Sequence, residues 1–193
     1  MYRFFNEKLE AGLPTDVVFT LIPNRGRSHY LGWLAPNRWE TGTERFHEVN
    51  LTADHLNRDV DGIAETMIHE IVHLKNNIEG IKDCSVTQYH TRAFKTVAES
   101  FGLKVERMKN KGYALTSLGD DARKLVNTYK ADILKGANPF VIHRVPEIKI
   151  SKPNPKKSVQ IDASVAETIL TANGGKLSHN VDTILREWIT NNG

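Results

Sequence analysis

Residues 69–73 read His-Glu-Ile-Val-His, two imidazoles four positions apart with a carboxylate directly after the first. On an α-helix, residues i and i+4 stand about one turn apart on the same side. His69 and His73 so placed can both reach one ion, at the roughly 2.0–2.1 Å of a Zn–N bond. Glu70 lies one residue off that line, beside the ion's open side, where it can take a proton from water. A zinc ion brings the pKa of a bound water down to about 7 and polarises a carbonyl. Two ligands and a general base therefore follow from one short spacing, and the chemistry they suit is metal-assisted hydrolysis of a peptide bond. The same five residues also arise by chance, on a surface helix with two polar histidines. Apolar residues at 63, 64, 67, 68, 71, 72 and 74 argue against that, because they give the segment a broad buried face. Imidazoles set into such a face need partners.

A hydrolytic metal site takes three protein ligands and keeps one position open. The extended pattern HExxHxxGxxH is ruled out, since Asn76 and Glu79 occupy its glycine and third histidine positions. Cys84 is the only cysteine, which excludes a thiolate-built zinc site and any intramolecular disulfide. On the residues alone two third ligands remain open. Glu99 lies within the next helix-forming segment, and His90 lies at its start, seventeen residues beyond His73.

The elements that must carry these groups can be read from periodicity and punctuation. Residues 2–13 read as an amphipathic helix, and 16–22, 29–34 and 46–51 as strands, with 36–45 a loop or hairpin connection. A short helix is expected over 52–58. The motif helix runs from an N-cap at Asp61 to about residue 77, where Gly80 breaks it. A loop leads to a helix over 91–101 with Phe94, Val97, Ala98 and Phe101 inward, stopped by Gly102. A short strand is expected around 112–115 and a helix over 120–134, with Leu125, Val126, Tyr129, Ile133 and Leu134 apolar. Residues 138–150 read as extended, 152–157 as a Pro- and Lys-rich linker, and the tail as two short helices split by a Gly-Gly pair.

The chain has 193 residues, 39% hydrophobic and 25% charged, which suits a globular domain with its own core. The opening residues lack the pattern of a secretory signal, and no apolar run approaches the roughly 20 residues of a membrane span. With one cysteine, a reducing, cytoplasmic setting is expected. The net charge of +3 is unevenly spread. Residues 104–157 hold 13 Lys and Arg against 5 Asp and Glu, while the rest of the chain holds 13 against 18. Such a basic segment can contact DNA or present an ordinary solvated face.

Several features in fixed order resemble the SprT-like metalloprotease family, which includes the eukaryotic protease Spartan. A first helix with Phe-Asn-Glu-Lys-Leu at 5–9 precedes a short sheet with a Gly32-Trp33 pair. A strand ending Val49-Asn50-Leu51 leads to the HExxH helix. After a loop, His90 is followed four residues later by Phe94, and Gly102-Leu103 closes that helix. The resemblance spans residues 1–118. It implies an α+β fold with a zincin-like metalloprotease core, a small antiparallel sheet packed on the HExxH helix. Residues 119–193 then form a mostly helical C-terminal extension with a basic linker. It further implies Zn2+ held by His69, His73 and His90, with Glu70 as general base, and endopeptidase activity on protein substrates, in known relatives proteins trapped on DNA. Two departures stand out. Tyr89 and Thr91 flank the third ligand where the family usually has glycines, and one cysteine cannot build the zinc ribbon that often follows the catalytic domain.

Other residues carry weaker expectations. Asp83 and Asn77 are candidates to orient a ligand histidine, and Tyr113 to donate to an oxyanion. His29, His47, His55, His143 and His179 are read as ordinary surface or core residues, Glu99 as a solvent-facing helix residue and Cys84 as a spectator. Trp33 and Trp39 are read as core packing, with an aromatic cleft wall as the alternative, and Trp188 as part of a helix face. The expected function is that of a zinc-dependent endopeptidase; action on DNA-associated proteins, with DNA contacted through residues 104–157, is left open beside the plainer reading of that segment as a solvated face. The alternatives are a nucleic-acid-binding adaptor with a structural metal site and no proteolysis, or a structural or regulatory protein in which the motif is coincidental.

Overall fold

The first helix, α1 (Tyr2–Lys8), is shorter than the apolar spacing of residues 2–13 predicts. Asn6 explains the early stop. Its side chain accepts from the Leu13 N–H at 2.9 Å and donates to the Leu13 carbonyl at 2.8 Å. Glu10 and Gly12 take positive φ angles of 49° and 66° within that loop, and Leu13 stays buried. The computed structural model describes residues 1–24, 29–137 and 190, and all of these but residue 190 belong to one unit, Met1–Pro146.

Three strands follow, β1 (Val18–Thr20), β2 (Gly32–Thr41) and β3 (Glu44–Leu51), in the spatial order β1-β3-β2. The sheet is mixed rather than antiparallel as expected. β2 and β3 form an antiparallel hairpin, and β3 inserts between β2 and β1, where it must run parallel to β1. The stretch read as a loop or hairpin connection at 36–45 does carry the hairpin turn, but most of it is strand. Its Pro and Asn are absorbed by a bulge in which residues 36–38 sit opposite His47, with Asn37 at φ +51°. Val49 and Leu51 face the core. Glu48 and Asn50 point the other way, yet both are buried and both are satisfied. Asn50 Oδ1 accepts from the Thr20 hydroxyl and the Ile22 N–H, and Glu48 accepts from the Trp33 and Trp39 indoles.

A single 3-10 turn (Ala53–His55) leads to the long helix α2 (Val60–Ile78). Its N-cap is Asp59, not Asp61: the Asp59 side chain accepts from the Gly62 N–H at 2.8 Å. Ile63, Ala64, Met67, Ile68, Ile71, Val72 and Leu74 are all buried, as their spacing requires. Helix α3 (Arg92–Ser100) is capped by Thr91, whose side chain accepts from the Ala93 N–H. Strands β4 (Leu103–Met108) and β5 (Gly112–Leu118) then form a second sheet, a two-stranded hairpin of which the sequence suggests only part.

Helix α4 (Asp120–Tyr129) continues as a wider π-turn (Lys130–Leu134). Within that turn Ile133, one of the apolar residues noted in the sequence, is 56% exposed. Ala122, Val126 and Tyr129 are buried, with Tyr129 against the rings of Phe4 and Phe5 at 5.3 and 5.9 Å. Asp61 meets Lys130 and Arg123, tying α4 to the start of α2. Residues 120–129, assigned from sequence to the extension, thus pack into the same core as residues 1–118. The fold is mixed α+β, with two small sheets and four α-helices among the described residues, arranged around α2. No helix among the described residues is long and apolar enough to cross a membrane. The expected linker and tail helices, His143, His179 and Trp188 lie outside the described residues.

Candidate metal centre

Helical pitch sets His69 and His73 on the side of α2 that faces away from its packed stripe. Their ring centroids lie 5.0 Å apart. The third imidazole arrives from another direction, at the residue just before the α3 cap. His90 is fixed there by its own backbone. Its N–H donates to the Lys111 carbonyl at 2.9 Å and its carbonyl accepts from the Tyr113 N–H at 3.1 Å. On the other side it bridges to Cys84 in antiparallel fashion. Gly112 makes this approach possible: it sits at φ +63°, and a Cβ there would lie 2.1 Å from the His90 carbonyl oxygen.

The three Nε2 atoms converge. His90 Nε2 lies 3.2 Å from His69 Nε2 and 3.1 Å from His73 Nε2. Hydrogen bonding alone cannot account for both contacts, because that nitrogen has either one hydrogen or one lone pair in its plane. A shared cation accounts for them directly. Nitrogens bound at about 2.0–2.1 Å in tetrahedral directions stand about 3.3 Å apart, close to the spacing seen. The three imidazoles are therefore close enough to hold one metal ion.

Each ring is oriented through its other nitrogen. His73 Nδ1 is 2.8 Å from Asp83 Oδ2, which also accepts from Asn76 Nδ2 at 2.9 Å. His90 Nδ1 faces the Gln88 carbonyl at 3.3 Å, an acceptor only, so that nitrogen carries the hydrogen and Nε2 the lone pair. His69 Nδ1 lies 3.2 Å from the Thr116 hydroxyl oxygen. Asp83 also works through its backbone. Its carbonyl accepts from the Thr91 N–H at 2.8 Å, holding the α3 cap beside His90. Beneath all three rings lies Phe94, fully buried, with centroids 4.6, 4.7 and 4.7 Å from His69, His73 and His90.

Electrostatics favour neutral ligands at two of the three positions. Burial holds His69 well below the usual imidazole range, helped by His73 and His90. Burial and the nearby His73 bring His90 down to about 4. For His73 burial acts in the same direction, but the Asp83 hydrogen bond and the charges of Glu70 and Asp83 outweigh it and raise the net value. Glu70 is 4% exposed. Burial pushes its carboxyl up to about 7, against His73 and with Asp83, and its Oε2 is buried with no hydrogen-bond partner among the described residues. A carboxyl so poised, with one oxygen unengaged, suits proton transfer near neutral pH.

The imidazoles line a cleft of about 980 Å³, walled by residues 29–34 leading into β2 on one side and by β5 on the other. Gly32 lets β2 pass close over α2: a Cβ there would lie 2.7 Å from the Asn50 carbonyl oxygen and 3.2 Å from Glu70 Oε1.

The structure brings His69, Glu70, His73 and His90 together, and leaves Glu99 outside. Glu99 is exposed on α3 and pairs with Lys95 at 3.5 Å. Asp83, also expected to orient a ligand histidine, does so at His73, whereas Asn77 is exposed and its buried neighbour Asn76 donates to Asp83 rather than to a histidine. Tyr113 is absent from the cleft wall, and its ring lies under Lys95 at 5.3 Å. His29 lines the cleft mouth. Trp33 is a cleft-wall residue rather than core, and Trp39 is 46% exposed. Sequence reasoning misses Thr116 and Glu65. Glu65, His69 and His73 share i, i+4 spacing, which is the one signal that points to Glu65. Against protein-family models, curated proteins and solved structures, the chain matches none.

Proposed function

We propose that this chain is a zinc-dependent endopeptidase with a zincin-like core, of the SprT-like type its sequence resembles. The observation that carries the proposal is the convergence of three imidazole Nε2 atoms at the floor of an open cleft, with the buried carboxyl of Glu70 next in sequence to one of them. Three nitrogen ligands and an open side suit a catalytic rather than a closed structural zinc site. Zinc held there supplies an acidified water and a polarised carbonyl. Glu70 takes the proton from the attacking water and returns it to the leaving amine. The edge of β2 away from β3 has no strand beside it among the described residues, and its first residues line the cleft. That edge can align an extended peptide by backbone hydrogen bonds across the ligand histidines.

A second reading, a nucleic-acid-binding adaptor with a structural metal, draws on the β4–β5 hairpin. It exposes Lys104, Arg107 and Lys109 with Glu106 as its one acidic residue. The same surface borders the cleft through Met108 and Lys111, so an endopeptidase acting on DNA-associated proteins can use it as well. Cleavage separates the two. The wild type is expected to cut an unfolded protein substrate, tested with and without single-stranded DNA, and Glu70→Gln to retain zinc but not cut. Normal cutting by Glu70→Gln refutes the mechanism, and a zinc-loaded wild type that cuts nothing while binding DNA favours the adaptor.

A further inference from the structure

Glu65 lies one turn before His69 on α2, half-buried at the cleft. Its Oε1 is 2.5 Å from the Thr116 hydroxyl oxygen, and that same oxygen is 3.2 Å from His69 Nδ1. Three groups from two elements, α2 and β5, thus form a chain that ends on a metal-site imidazole. We propose that Glu65 is a positioning residue which, through Thr116, fixes the tautomer of His69 and so aims its lone pair at the cation. The inference rests on the metal-site reading above and adds residues that the HExxH spacing does not contain.

A hydroxyl has one hydrogen to give and lone pairs to receive with. A carboxylate has none to give, so at 2.5 Å Thr116 donates to Glu65, in the short range of a charge-assisted bond. Its hydrogen spent, Thr116 can only accept from His69. His69 must then carry its hydrogen on Nδ1, leaving the lone pair on Nε2, where His90 Nε2 is 3.2 Å away. Without Glu65 the Thr116 hydroxyl is free to donate to Nδ1 instead. That flips the ring to the other tautomer and points an N–H at the place of the cation. The other two rings need no such relay, because a carboxylate and a backbone carbonyl set their tautomers directly. Burial raises the Glu65 carboxyl above its ordinary value, and the Thr116 hydrogen bond and the nearby Arg58 act against that rise, on the side of the charged form.

The test is zinc affinity of the full chain, read by competition with a chromophoric chelator, with thermal unfolding as a check that each variant folds. Thr116→Val and Glu65→Leu are each expected to weaken zinc binding about 10–100-fold, the usual effect of losing a residue that orients a ligand. Thr116→Ser keeps the hydroxyl and is expected to stay within about threefold of wild type, a scatter ordinary for a conservative change. Because Glu65 acts only through Thr116, the double variant Glu65→Leu/Thr116→Val is expected to bind no more weakly than Thr116→Val alone; additive losses overturn the relay. A spectroscopic arm reads the tautomer itself. In 15N-histidine spectra of the zinc-free chain, His69 is expected to carry its hydrogen on Nδ1 in the wild type and to shift toward Nε2 in Glu65→Leu. An unchanged tautomer in Glu65→Leu overturns the proposal. A wild type that binds no zinc defeats the metal-site reading, and the His69 spectra still decide the relay.

Discussion

Gly112 offers the sharpest test of how the third imidazole is held. Replacing it with alanine has two consequences that can be separated. The first is conformational: at φ +63° an L side chain is strained, which costs roughly 1–2 kcal/mol. The second is a collision. The new Cβ would sit 2.1 Å from the His90 carbonyl oxygen, where ordinary contact begins at 3.4 Å, so the two segments must part by about 1.3 Å. Metal–ligand distances tolerate only about 0.2 Å. His90 is pinned through the backbone groups that would have to move, so its Nε2 leaves the convergence point. Gly42 supplies the control: its φ is +61°, yet a Cβ there meets nothing within 4 Å. Both variants should carry a similar φ cost, Gly112→Ala should lose further stability through the collision, and only Gly112→Ala should lose zinc. The expected drop in affinity exceeds the roughly 10–100-fold that follows loss of a residue orienting a ligand. Chelator competition gives the affinity and denaturant unfolding the stability. Wild-type zinc affinity in Gly112→Ala, or an equal loss in Gly42→Ala, refutes the reasoning.

Three further outcomes are expected. Phe94→Ala removes the floor beneath all three rings and should destabilise the fold by about 3–5 kcal/mol in denaturant unfolding, as for other buried aromatics. Asp83→Ala strips the acceptor from His73 and Asn76 and should weaken zinc binding about 10–100-fold, whereas Asn77→Ala, at an exposed position, should leave it unchanged. Gly32→Ala places a methyl 2.7 Å from the Asn50 carbonyl oxygen and 3.2 Å from Glu70 Oε1; peptide cleavage should fall further than zinc affinity, because the displaced group is the base and not a ligand.

Local signals in the sequence are legible where one physical rule dominates. The 3.6-residue period of 63–74 yields α2 and its buried face, although the two histidines, read as set into that face, stand on the side away from it. Gly102 marks the end of α3 as a left-handed stop and does take φ +82°, while Thr91, read as the first helical residue, is its cap. What escapes such reading depends on partners distant in the chain. The loop or hairpin connection expected at 36–45 follows from Pro36, Asn37 and Gly42; the hairpin is there, with Gly42 in its tight turn, but a bulge absorbs the first two residues into β2. The parallel pairing of β1 with β3 has no local signature. At the site, the helix pair is legible from spacing, while the choice between His90 and Glu99 rests on resemblance. In the structure that choice depends on the clamp formed by Cys84, Lys111 and Tyr113, which no periodicity reports. Asp83, 10 residues from His73, is near enough in the chain to be a candidate from sequence, whereas Thr116, 47 residues from His69, emerges only once β5 folds against the motif.

The central claim is that three imidazoles, from α2 and from the start of α3, hold one cation. Elemental analysis of the purified chain beside His90→Ala and Glu99→Ala tests it most directly. One zinc per chain is expected in the wild type and in Glu99→Ala, and a marked loss in His90→Ala. A wild type with no bound metal, or a His90→Ala chain that retains its full complement, would contradict it.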